Sequence, residues 1–202
     1  MKQSTMMKAL DWAYDKAING LPGAETAEEL GDDYKRQSGT LNENIDSLIR
    51  WQIAKCSTSG FLSGLGGLIT LPATIPANIA SVMYVQIRMI AAIAHMRGYD
   101  VRSDQVKTMV YLSLVGGAIK DICKEVGIKI GSKFTESAIK NISGKTLTAI
   151  NQKVGFRLIT KFGEKGAVNL GKMIPLIGGL IGGTMDGYST NVVGDTAKGV
   201  FV

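Results

Sequence analysis

Polar and apolar positions alternate unevenly along this chain, and the unevenness predicts its elements. From Cys56 to Ile87 there are 32 residues without a single Asp, Glu, Lys or Arg. The run is glycine-rich at its start (Gly60, Gly64, Gly66, Gly67) and contains Pro72 and Pro76. After Pro76 it reads as one long apolar helix into His95 and Met96, with Arg88 the only charge before Arg97. A shorter run of the same character spans Met173 to Met185, with Pro175, Gly178, Gly179, Gly182 and Gly183. These two glycine-rich apolar elements are expected to form the centre, with the rest of the chain packed around them. Gly60/Gly64, Gly178/Gly182, Gly179/Gly183 and Gly183/Gly187 have the spacing that lets two helix backbones approach closely. The alternative reading is that these glycines mark loops.

The flanking segments carry helical periodicity. Ser4 to Asn19 reads as an amphipathic helix capped by Ser4, with Leu10, Trp12, Ala13, Ala17 and Ile18 on a broad face. Thr26 to Gln37 is acidic at its start and basic at its end, which suits the helix dipole, and its many charges predict a surface element. Asn42 to Cys56 places Ile45, Leu48, Ile49, Gln52 and Ile53 on one stripe. Gly98 is the expected C-terminal stop of the long helix. Ser103 then caps a helix that runs toward Val126 and Gly127, with Val106, Met109, Val110, Leu112, Ser113 and Gly117 available for packing. Two or three short amphipathic helices follow, broken at Ser143-Gly144, Gly155 and Gly163, and Asn191 to Val202 forms a short terminal segment. Sustained period-two alternation is absent from the sequence. The fold class is therefore all-α: a compact helical bundle, one domain over residues 1–202, with 1–37 as an N-terminal helical appendage.

Length decides whether the apolar run spans a membrane. The prolines leave Phe61 to Leu71 too short and Ala77 to Met96 long enough. In that second piece Ile79, Val82, Val85, Ile87, Ile90 and Ile93 favour insertion by about −2 to −3.5 kcal/mol in all, and a central Arg88 opposes it by about +2.5 to +3.5. Asn78, Gln86 and His95 oppose it further, so the helix reads first as a buried core helix. The sharper alternative is a hairpin that dips into a bilayer when neighbours satisfy Arg88. Arg88 and Asp186 are the lone charges of their elements and are expected to pair, or to share a polar network with Gln86 and Tyr188. The competing reading has each side chain reaching water.

Charge sharpens the picture. The net charge is +6, and from Lys124 to Lys172 ten basic residues face three acidic ones, leaving the remainder slightly acidic. Lys153, Arg157, Lys161 and Lys165 follow at successive i+4 steps and predict a basic stripe beside Val154, Leu158, Ile159 and Phe162. This stripe is the candidate contact for an anionic lipid surface. A merely solvated face is the bland reading, and nucleic acid is disfavoured because few aromatics accompany the charge. Cys56 and Cys123 stand far apart and read as buried thiols of a reducing compartment. Lys2 and Lys8 are followed by Asp11 and Asp15 rather than an apolar core, so no secretory signal is expected and the protein should be cytoplasmic.

The stretches Gly64 to Asp100 and Lys172 to Phe201 resemble the EcsC family. The first match carries the prolines, Gln86-Ile87-Arg88-Met89-Ile90, Ile93-Ala94-His95 and Gly98-Tyr99-Asp100. The second carries Ile174-Pro175-Leu176-Ile177-Gly178-Gly179, then Gly182-Gly183, Asp186, Thr190, Gly194, Ala197 and Phe201. The resemblance covers roughly Thr40 to the C-terminus. It implies a small bacterial helical protein without accepted catalytic activity, named from an operon with an ABC transporter linked to protein export.

Catalytic signatures are weak. Gly144-Lys145-Thr146 imitates the end of a phosphate loop, but Ile139 stands where its first glycine belongs. Ile69 occupies the third glycine position of a dinucleotide fingerprint begun at Gly64 and Gly66. His95 is the only histidine, which leaves no His-based metal site and no second imidazole for a relay. The reading is a non-enzymatic, membrane-associated protein with no cofactor, no metal and no nucleic acid, peripheral to the inner face of the membrane. The alternatives are a soluble protein-interaction module, such as an adaptor or a defence or immunity partner, and a membrane-permeabilising effector.

Overall fold

A computed structural model describes residues 2–57, 77–128, 134–162 and 181–202, with side chains as far as those placements allow. Among them the chain is all-α, and the sole β feature is an isolated bridge between Leu21 and Ala24. The helices are α1 Gln3–Asn19, α2 Ala27–Lys35, α3 Leu41–Ser57, α4 Ala77–Met96, α5 Asp104–Ser113, α6 Ile119–Glu125, α7 Glu136–Lys140, α8 Gly144–Phe162 and α9 Ile181–Val200. A 3₁₀ turn, Gly116–Ala118, precedes α6.

Helix α4 is the axis. Every residue from Ala80 to Ala94 is buried. It is the one described helix long and apolar enough to cross a bilayer, and α1, α2, α3, α5 and α9 enclose it. Each fully buried Ile or Met here contributes about 1.5–3 kcal/mol. Its end is set locally. Gly98 has φ +86, its N–H bonds to the His95 carbonyl at 2.9 Å, and the Tyr99 N–H bonds back to the Ala94 carbonyl at 3.0 Å. That pair of bonds is a Schellman stop, which requires a left-handed residue. Beyond that stop, Ser103 accepts from the Val106 N–H and starts α5, as its sequence predicts.

Other expectations change. Helix α1 begins at Gln3 behind Lys2, which makes no side-chain cap, so Ser4 lies inside the helix. Helix α2 is less superficial than its charges suggest. Thr26 and Glu29 form a capping box, while Ala27, Leu30 and Gly31 are buried against α4. A β-carbon at Gly31 would lie 3.1 Å from the Ala92 carbonyl oxygen, so the missing side chain permits the approach. Residues 1–37 thus cover the axis. The helix expected from Ser103 to Gly127 is divided at Gly116 (φ +59), and Gly117 is exposed rather than packed. Gly155 does not break α8. It is buried where the helix crosses Met7 of α1. The terminal segment is the second half of α9, not a separate piece, and it buries Val193, Ala197, Val200 and Phe201.

Helices α3 and α9 pack most extensively and run antiparallel. Lys198 pairs with Asp46, and a β-carbon at Gly194 would meet Ile49 at 2.8 Å. The glycine spacings expected at 60/64, 178/182, 179/183 and 183/187 lie outside the described residues or, at 182, 183 and 187, outside the described side chains; Gly194 is a described glycine at this crossing. Helices α4 and α9 run parallel, joined at Gln86 to Ser189 and Thr190 and at Tyr99 to Phe201.

Candidate functional site

The basic stripe does not present itself as four free cations. Lys153 reaches Glu125 at 2.7 Å and Arg157 reaches the same carboxylate at 3.4 Å. Lys153's hydrogen bond, followed by its charge, holds the Glu125 carboxyl below its usual range. Lys161 turns inward, donating to the Leu114 carbonyl at 3.3 Å, and burial lowers its ammonium to about 8. Lys165 lies outside the described residues. The apolar complement is also engaged, because Val154 and Leu158 are fully buried against the bundle. What α8 shows to solvent is Phe156, 63 % exposed, beside a shallow groove of about 600 Å³ lined by Gln3, Ser4, Met7, Gln152 and Lys153.

The polar core is divided between two faces of α4. Gln86 donates to Thr190 at 3.2 Å and to Ser189 at 3.3 Å. Arg88 stands two residues on, about 200° around the helix, and so cannot share that face. Its Nη1 donates to the Glu25 carbonyl at 3.1 Å, just before α2. Among the described residues Arg88 and Gln86 thus take different partners, and the expected pairing of Arg88 with Asp186 falls outside them. Tyr188 is 70 % exposed, and the Asp186 side chain lies outside the described residues. Periodicity alone contains the signal that separates Arg88 from Gln86, since residues at i and i+2 never face one partner.

Several buried polar atoms lack partners. Gln52 is 0 % exposed, and neither its amide oxygen nor its nitrogen is bonded. The Gln86 oxygen, the Tyr84 hydroxyl and Arg88 Nε share that condition. The α3–α9 register brings Gln52 level with Thr190, on the Gln86 side of the core. Arg88 lies on the other side, its Cζ 5.5 Å from the Tyr84 ring centre. Lys55 is close by: burial first, then the charge of Arg88, pushes its ammonium below the usual lysine range.

Aromatic side chains mark the same end of the bundle. Trp51 on α3 is 55 % exposed, with the Lys55 ammonium 5.9 Å from its ring. The α3–α9 register brings Tyr188 level with this turn. Sequence reasoning missed Trp51, which lies off the stripe of Ile45, Leu48, Ile49, Gln52 and Ile53. His95 pairs with Asp32 at 2.7 Å, and this bond holds the Asp32 carboxyl low. Cys123 is buried and its thiol is pushed up to about 11 by burial; Cys56 lies outside the described side chains.

The model of the EcsC protein family matches residues 3–202. The chain belongs to the EcsC family. The match includes α1 and α2, so the EcsC domain here extends beyond the stretch from Thr40 on which the resemblance rested. No curated protein and no solved structure gives a match.

Proposed function

We propose that this EcsC protein is a non-enzymatic membrane-associated protein that meets the cytoplasmic leaflet with the Trp51–Tyr188 end of its bundle. One observation carries the reading. Trp51 is 55 % and Tyr188 70 % exposed at the end where α3 closes and where α4 and α9 begin. Exposed Trp and Tyr favour the boundary between water and acyl chains, because one part of each ring system is apolar and the other hydrogen-bonds. Lys55 adds a cation beside Trp51. The Glu125 pairs make Lys153 and Arg157 secondary contacts for anionic lipid, since a cation already paired gains less from a second anion.

The experiment uses the two tryptophans. In Trp12→Phe, Trp51 is the sole emitter. Added lipid vesicles should shift its emission to shorter wavelength and protect it from aqueous quencher. Unchanged emission, with the protein remaining in the supernatant on sedimentation, would reject membrane contact through this end. A second reading, a protein-interaction module, is favoured by exposed Phe156 beside the α1–α8 groove. Phe156→Ser would then abolish partner capture while leaving vesicle binding intact.

A further inference from the structure

Helix α8 packs on α1, α5 and α6, whereas Trp51 and Tyr188 stand on α3 and α9. On the outer side of α8, Phe156 is 63 % exposed. Its ring carries no hydrogen-bonding group, unlike indole or phenol, so nothing about it is suited to water. Single exposed apolar residues are ordinary, but Phe156 has company. It borders the groove of about 600 Å³ that Gln3, Ser4 and Met7 line from α1 and Gln152 and Lys153 from α8. Gly155 brings the two walls together: a β-carbon there would lie 3.1 Å from Met7 Sδ and 3.4 Å from Gln3 Cγ. Gln3 Nε2 spans the crossing and donates to the Gln152 carbonyl at 2.7 Å. The apolar contacts left for a partner are Phe156 and the half-buried Met7, whose flexible thioether fits varied shapes.

The charge beside this groove has one sign. Helix α8 holds Lys145, Lys153, Arg157 and Lys161 and no Asp or Glu, and the first ten residues hold Lys2 and Lys8 and no acid. Neighbouring carboxylates are taken: Glu125 by Lys153 and Arg157, and Asp11, one turn beyond Met7, by Lys107 at 2.7 Å. Lys2, Lys8 and Lys145 form no ion pair among the described residues. Lys8 shares a face of α1 with Ser4, four residues earlier. Lys145 and Phe156 are eleven positions apart on α8, about 16 Å along its axis, which a helix of about three turns covers. We propose that the α1–α8 groove binds an acidic amphipathic helix of a partner protein, with its apolar stripe on Phe156 and Met7 and its carboxylates toward Lys2, Lys8 and Lys145. The inference rests on the protein-interaction reading above and names its partner; it is independent of membrane contact at the Trp51–Tyr188 end.

Fluorescent peptides of about four helical turns, titrated with the full-length chain and read by anisotropy, test it. All share one leucine stripe and differ on the polar face, which is glutamate, glutamine or lysine. The glutamate peptide should bind most tightly, and its affinity should fall as sodium chloride is raised. Phe156→Ser should weaken it about thirtyfold, as truncating a central aromatic anchor does. Lys8→Gln and Lys145→Gln should each weaken it about two- to fivefold and flatten the salt dependence. All three positions are exposed, so these variants keep the fold, and an unchanged Tm checks it. Equal or reversed preference among the peptides, with binding still lost in Phe156→Ser, keeps the interaction reading and overturns the acidic partner. No binding of any peptide, or binding indifferent to Phe156→Ser, overturns the proposal and the interaction reading together. Flotation with phosphatidylglycerol vesicles is the last arm. If Phe156→Ser abolishes it, the groove meets lipid and the proposal falls; flotation equal to wild type leaves the groove to a protein.

Discussion

The two ends of the α3–α4–α9 core solve the same burial problem differently. At one end Tyr99 donates to the backbone carbonyls of Phe134 and Val202, each at 3.0 Å, and its ring meets Phe201 edge-on at 5.1 Å. Chain terminus, helix stop and aromatic pair meet there with the Tyr99 hydroxyl bonded, and Arg97 Nε is the buried atom of that stop without a hydrogen-bond partner among the described residues. Toward the other end, Gln52, Tyr84, Gln86 and Arg88 keep buried polar atoms without partners, while Trp51 and Tyr188 face out. The contrast teaches that the cost of burying polar atoms is uneven along the helix axis. An end with more of its polar atoms bonded contributes cohesion, and one that leaves more unbonded does so at some expense of stability.

The largest expected effect is at the satisfied end. Phe201→Ala should destabilise the protein by about 3–5 kcal/mol, read from the urea midpoint, because the site is fully enclosed and cannot collapse. A loss below about 1 kcal/mol would mean that this end is not the cohesive one.

Next comes a buried cation on the flank. The folded pKa of Lys161, about 8, lies below its ordinary 10.5. Between those values the unfolded chain holds a proton that the folded one has released, so stability should rise as pH increases from 8 to 10.5. The rise attributable to Lys161 is up to about 3 kcal/mol, and Lys161→Met should remove it. Cys123 works in the opposite sense: its raised pKa contributes stability below pH 9 that is lost as pH climbs through about 11. The burial-raised phenols of Tyr14 and Tyr111 act likewise at higher pH. The difference between wild type and Lys161→Met, measured by denaturant titration at each pH, isolates the lysine. Parallel curves would show that its ammonium stays charged in the fold.

The smallest effect belongs to the unsatisfied end and has the opposite sign. Gln52→Leu should stabilise by about 1–2 kcal/mol, since it removes a buried amide with neither group bonded. A lowered thermal midpoint would instead mean that the amide is satisfied, and the comparison between the ends would lose its basis.

Local signals in the sequence were enough for much of the fold. Pro76 and Gly98 bracket α4, because a proline bars helix continuation from before and a left-handed glycine ends it. Ser103 caps α5 through one short bond. The α3 stripe of Ile45, Leu48, Ile49 and Gln52 is buried as its spacing demands. Glycines were harder to read. Gly116 divides a helix, whereas Gly155 sits inside one, and the difference is whether another chain segment fills the space beside it.

By itself, then, the sequence determined helix content, the central place of the Ala77–Met96 segment and family membership, because these depend on periodicity, capping and motif order over short spans. Only the tertiary structure decided which partners the charges take. It brought Glu125 to Lys153 and Arg157, turned Lys161 inward, and set Arg88 toward Glu25 while Gln86 meets Thr190. Those choices follow from helices crossing at particular faces, and no neighbouring residue in the chain encodes a contact made a hundred positions away.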